Sequence, residues 1–419
     1  MIIDQRLLGA PAMKKLAAVL LTAVVAVALA PAAAADPGRG FTAIWGAAQH
    51  APSDGFGPTW GVTGFDNHTL RQVVRLNGGG PALRIRLSNT YGTRPLEVTG
   101  ATIARTGSGA AVQPGSVRHL RFRGDRSVVV PAGAQTVSDV AVFPVAPLSK
   151  VTVTLYLASP TGPATGHFFA GATSYRAVGD HRSAAGGEAF TETSQSWFYL
   201  SGVEAVDTSP RRDTVVAFGD SITDGALSTV DADNRYPDEL AERLRGRKNV
   251  VNAGIGGNRV LNDSTCFGEK ATTRFAQAAL AQPDVRTVIV LEGINDIGFP
   301  QLGHACALPA PKVTAAQLIE GHRELIRQAH AKGVRILGAT LLPYKGAAYF
   351  TEEGETTRDA LNEWIRTSGE YDAVIDLDRA LADPTDPDRM LPAYDSGDAL
   401  HPGDAGYRAM AEAVDLSLL

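Results

Sequence analysis

Residues 215–225 read VVAFGDSITDG. Four apolar residues, Val215 to Phe218, run straight into Gly219-Asp220-Ser221, and a helix-like segment follows. An apolar run ending at a glycine before a helix reads as a strand–turn–helix unit. Serine is also a favoured helix N-cap, so the tripeptide alone does not separate a nucleophile from a cap.

Downstream, the same alternation repeats. Strand-like runs fall at 214–218, 249–255, 285–293, 334–342 and 371–377. Helix-period segments lie between them at 235–245, 272–281, 314–333 and 356–369, the third with Thr314 as N-cap and Gly333 as stop signal. Runs buried on both faces and joined by helices specify a parallel sheet. Upstream, from Phe41 to about Pro210, the period is that of strands. In ALRIRLSN (82–89), Leu83, Ile85 and Leu87 alternate with Arg84, Arg86 and Ser88. LRQVVRLN (70–77) precedes it across GGGP, which reads as a hairpin turn. Further strands are expected at 96–104, 126–132 and 150–158. The fold class is therefore α/β, with an antiparallel β-sandwich accessory domain at 41–210 ahead of an α/β sandwich at 211–419.

Ligands of open parallel sheets bind at the carboxyl ends of the strands, and four groups fall there. Ser221 follows the first strand of this half. Gly256-Gly257-Asn258 follows the second, Gly293-Ile294-Asn295-Asp296 the third, and Asp398-Ala399-Leu400-His401 precedes the last helix. Singly these read as a cap, two turns and a satisfied histidine. Together they supply a complete chemistry. Serine needs a base to take its proton, and histidine is the usual one. His401 would be that base and Asp398 would fix its tautomer. The backbone N–H groups of Ser221 and Gly257 and the side-chain amide of Asn295 would serve an oxyanion.

The blocks GDSIT, NAGIGGN, GIND and DALHP resemble, in order, the four signature blocks of the SGNH (GDSL) hydrolase superfamily, over roughly Asp213 to Leu419. The resemblance implies a flavodoxin-like three-layer fold with Ser221 as nucleophile, His401 as base and Asp398 as third triad member. Gly257 and Asn295 would complete the oxyanion hole; the family's five-residue spacing from its asparagine, here Asn252, selects Gly257 over Gly256. The preceding all-β region also resembles that of secreted actinobacterial GDSL esterases. An esterase for short acyl groups, plausibly acetyl groups on plant polysaccharide or glycosides, is the expectation. The alternatives are a lipase or (lyso)phospholipase, and a carbohydrate-binding protein with an inactive hydrolase domain. Trp45, Trp60, Phe65 and Tyr91 are candidates for stacking on sugars, or for core packing.

Composition bounds the rest. Hydrophobic residues make up 44% and charged residues 20% of the 419, with a formal net charge of -5; that balance excludes a basic nucleic-acid footprint. The basic run 117–126 reads as an exposed strand face. Met13-Lys14-Lys15, the apolar stretch Leu16–Ala30 and Ala33-Ala34-Ala35 read as a secretory signal peptide, 1–35, whose apolar core falls short of the ~20 residues a spanning helix needs. The leader before Met13 leaves the start codon as Met1 or Met13. Export and an even count favour a disulfide between Cys266 and Cys306. His304-Ala-Cys306 lacks a second pair with zinc spacing; neither a metal nor a cofactor is expected.

Overall fold

The computed structural model describes residues 40–55, 57–206 and 213–419. The expected signal peptide, 1–35, lies outside the described residues. From residue 213 onward the chain forms a five-stranded parallel sheet: β1 (Thr214–Gly219), β2 (Asn249–Gly254), β3 (Val285–Leu291), β4 (Arg335–Ala339) and β5 (Ala373–Ile375), in the order β2-β1-β3-β4-β5. That is the flavodoxin-like order, with the switch point between β1 and β3. The strands are continuous apolar runs because helices cover both faces. Val215–Phe218 and Val288–Leu291 are almost wholly buried.

Two helix pairs make the outer layers. Tyr236–Leu244 packs beside Asp404–Ala413, and Ala315–Ala331 beside Glu352–Thr367. Thr314 caps Ala315–Ala331 through a capping box with Gln317. The segment read as one α-helix at 272–281 begins as α-helix, Ala271–Phe275, and continues as a π-helical turn, Ala276–Leu280. Among the described residues, no helix is long and apolar enough to cross a membrane.

Upstream, two antiparallel sheets face each other over one core. One places Leu200–Val206 between Phe41–Gly46 and Gly80–Ser88; the other centres on His68–Arg75 and Lys150–Leu157. Ile85, Leu87 and Val203 from the first meet Leu70, Val153 and Leu155 from the second. The basic run behaves as an exposed face: Arg118 and His119 form a short exposed strand, while Leu120 and Phe122 turn inward.

The expected hairpin across GGGP does not form. His68–Arg75 and Gly80–Ser88 belong to different sheets, and the glycines carry the chain from one sheet to the other. The cause is the neighbouring sheet. A Cβ on Gly78 would lie 2.0 Å from Asn249 Oδ1, so only glycine lets this crossover run against β2.

Residues Gly38–Leu419 form one compact unit. Ala43 and Ala48, from the β region, are buried in the α/β core. Asn77 Nδ2 donates to the Val250 carbonyl of β2 at 2.9 Å. Arg75 pairs with Glu242 and Lys150 with Asp233, each at 2.6 Å.

Candidate active site

The register of the sheet brings the sequence blocks together. Gly219 of β1 stands opposite Gly254 of β2 and Leu291 of β3, so the loops carrying Ser221, Gly257 and Asn295 leave one edge side by side. Asp220 caps the short helix α1 (Ser221–Asp224), its Oδ1 accepting from Ile222 N at 2.9 Å. The cap is therefore Asp220, and Ser221 is the first helical residue, with its side chain free for another partner.

That partner is His401. Ser221 Oγ lies 2.8 Å from His401 Nε2, and His401 Nδ1 lies 2.6 Å from Asp398 Oδ2. Asp398 Oδ1 accepts the backbone N–H groups of Leu400 and His401 at 2.9 and 2.8 Å. Burial raises the Asp398 carboxyl, but the ring and backbone hydrogen bonds from His401 outweigh it and hold it down to about 2. A carboxylate can only accept, so Nδ1 carries the proton. Nε2 then presents its lone pair to the serine O–H.

Three donors lie on the loops that leave this sheet edge. Ser221 N and Gly257 N meet no acceptor among the described residues. Gly257 has a left-handed φ of +72°, whereas the N–H of Gly256 is committed to Asp224 Oδ2 at 3.1 Å. Gly257 is thus the glycine with an N–H to offer. Asn295 Nδ2 donates one hydrogen to Asn258 O at 3.0 Å, and Tyr349 OH approaches Asn295 Oδ1 at 3.5 Å. Those contacts orient the amide and leave its second N–H available.

Sequence reasoning missed the support beneath. Arg274, fully enclosed, donates to Asn258 Oδ1, Ala253 O and Gly219 O at 2.7 to 2.8 Å. It ties the ends of β1 and β2 together. Asp296 accepts from Val260 and Leu261 N at 2.7 and 3.1 Å, and burial pushes its carboxyl up to about 6. Burial likewise raises Asp220 to about 7 and Glu292 well above the usual carboxylate range. Among the described residues neither carboxyl oxygen of Glu292 has a hydrogen-bond partner, which suits a neutral acid better than a buried anion. No local motif marks Arg274 or Glu292.

Cys266 and Cys306 form a disulfide with Cα atoms 5.3 Å apart, so Cys306 is not open to a metal; His304 Nδ1 accepts from Cys306 N instead. Two of the four aromatic candidates for sugar stacking are core residues. Trp45 packs edge-on against Trp197 with centroids 4.9 Å apart, and Phe65 packs against Phe198 at 5.1 Å. Trp60 lies stacked on Phe198 with Arg176 over its ring. Tyr91 donates to Glu269 at 3.2 Å.

Residues 217–409 match the GDSL-like Lipase/Acylhydrolase family. An uncharacterized esterase of Bacillus subtilis (strain 168), YxiM, is 36% identical over 126 residues, 28% of this chain. The matched segment spans about a third of that relative's length, 32%. Solved structures include an inhibitor-bound M. smegmatis aryl esterase, 16% identical with a TM-score of 0.38, covering 48% of this chain and 94% of the esterase. A carbohydrate acetylesterase from Sinorhizobium meliloti, Est24, is 16% identical with a TM-score of 0.37, covering 48% of this chain and 96% of that one. Residues 217–409 thus resemble the GDSL-like lipase/acylhydrolase family, the match falling on the segment that carries Ser221, Gly257, Asn295, Asp398 and His401.

Proposed function

We propose that the protein is an exported serine esterase that hydrolyses short-chain carboxylic esters through an acyl-enzyme. The observation that carries this reading is the Ser221–His401–Asp398 relay, with contacts of 2.8 and 2.6 Å, beside three donors with a hydrogen to spare. In the first step His401 Nε2 takes the Ser221 proton as Oγ attacks the ester carbonyl. Asp398 balances the imidazolium. The N–H groups of Ser221, Gly257 and Asn295 receive the oxyanion, where they act most strongly because they are pre-oriented. Collapse expels the alcohol, protonated by His401; water, activated by the same base, then releases the acid.

A short acyl group is favoured by what surrounds the donors. Phe267 packs on Gly257, and Tyr349 packs on Gly298 beside Asn295. Buried rings, rather than an exposed apolar surface, flank the oxyanion donors. Acetyl groups on polysaccharide or glycosides fit this reading. Export is supported by the leader sequence and by the Cys266–Cys306 disulfide, which suits an oxidising compartment; the mature chain recovered from culture medium should begin at Asp36.

The deciding experiment is a kcat/KM series on p-nitrophenyl esters from acetate to palmitate, with Ser221→Ala as control. A preference for acetate and a Ser221→Ala loss of about 10⁶ in kcat are expected. A preference for long chains would move the substrate to lipids. Absence of any turnover, with Ser221 unlabelled by a fluorophosphonate, would leave a binding protein.

A further inference from the structure

His167 lies in the β region, far along the chain from every signature block, yet it is buried against the helix that carries Ser221. Its Nε2 sits 2.9 Å from Asp224 Oδ1 and 3.3 Å from Phe169 O; its Nδ1 sits 2.9 Å from Ala48 O. Every partner is an acceptor. A neutral imidazole has only one N–H, so satisfying both ring nitrogens requires the imidazolium. The ring stacks on Trp197 with centroids 5.6 Å apart, which fixes its plane.

Asp224 is the last residue of α1 and is equally buried. While Oδ1 faces His167, Oδ2 accepts the N–H of Gly256 at 3.1 Å. One carboxylate therefore joins the serine's helix, the β region and the peptide next to Gly257. A second arm from the β region reaches the other side of that turn. Ser53 Oγ donates to Cys266 O at 3.1 Å, and Gly55 packs on Cys266 and Phe267, whose ring covers Gly257.

We propose that His167 is a positioning residue for the esterase reaction: through Asp224 it sets the Gly256–Gly257 turn and with it the oxyanion donor at Gly257. The proposal rests on the esterase reading above. It gives the β region a part in catalysis that does not require it to bind substrate. Removing the imidazole leaves Asp224 as a buried carboxylate lacking its charge partner. The carboxylate then turns toward any other donor, and the Gly256 N–H is released.

The test uses the full chain with His167→Ala and His167→Gln, on p-nitrophenyl acetate. Rates are divided by active sites titrated with a fluorophosphonate, so that misfolded protein does not count. A merely structural histidine lowers the number of titrated sites and leaves kcat per site unchanged. A positioning histidine lowers kcat per site by about 10- to 100-fold at nearly constant KM, since a misplaced donor costs on this scale. His167→Gln, whose amide can still donate to Asp224, should recover at least part of the loss. If His167→Ala does not fold, His167→Gln decides alone, with an intermediate kcat per site supporting the proposal. Variants within about twofold of wild type per site would overturn it while leaving the esterase reading intact. An inactive, unlabelled wild type, established first, would remove both.

Discussion

The ring of Phe267 lies over Gly257 so closely that a methyl group added there would fall 2.5 Å from its Cγ. The glycine also holds φ at +72°, which costs any other residue on the order of 1–3 kcal/mol. Gly257→Ala is thus opposed by its backbone and by its neighbour, and the turn must rotate to accept it. The Gly257 N–H rotates with it. We expect kcat on p-nitrophenyl acetate to fall about 10²- to 10³-fold, with a lowered melting temperature. An unchanged kcat would remove Gly257 from the oxyanion donors.

Asp398→Asn should fold normally, because an amide oxygen can still accept the Leu400 and His401 N–H groups. Its turnover should fall, since the amide favours the wrong histidine tautomer. The upper bound is about 10⁴. The Asp398 side chain is 39% exposed, so water shares its role, and a loss nearer 10²–10³ is expected. His401→Ala should lower kcat severely at unchanged fold, since the Ser221 hydroxyl then has no base at 2.8 Å, and a near-wild-type rate would exclude His401 as the base.

The Cys266–Cys306 bridge closes a loop across a sequence separation of 40. Replacing both cysteines by serine should cost ~3–4 kcal/mol of stability in the chain-entropy treatment. The loop borders Phe267, so kcat should fall as well, unlike the effect of a remote staple. Denaturant titration and kinetics on the same sample separate the two losses.

His167 also makes a pH prediction. Burial opposes its charge, but the Asp224 carboxylate and its hydrogen bond outweigh this and raise it above the ordinary histidine value. Arg235 opposes that shift, and His50, with its ring 6.3 Å away, is driven by burial down to about 3 and stays neutral. A group raised in the folded state stabilises fully below its unfolded pKa of about 6.5 and loses that contribution as pH climbs through the folded value. The melting temperature should therefore decline as pH rises above about 6.5. His167→Gln should lack that component; an identical decline in the variant would assign it elsewhere.

The parallel sheet was legible because its strands are buried on both faces, which leaves apolar runs such as Val215–Phe218 with glycine at their ends. The serine, histidine and aspartate were legible because their loops share one edge. Pairing in the β region was not. Alternation in ALRIRLSN tells which side chains turn inward but not which strand lies alongside, and one neighbour of Leu83–Leu87 is Leu200–Ala205, more than a hundred residues away. For the same reason GGGP looked like a hairpin. Asp224 stood in the opening motif but showed nothing of its bond to His167, which depends wholly on the packing of the two regions.

The β2 strand is a border of the parallel sheet, and a bare border is an invitation to other chains. Here it is roofed from within the same molecule: Asn77 takes the Val250 carbonyl, Gly46 lies against Val251 and Gly78 against Asn249. The β-sandwich thus covers this border with the protein's own chain, and a fragment cut at residue 213 is expected to expose it and to associate, which size-exclusion chromatography of that fragment beside the full chain would check.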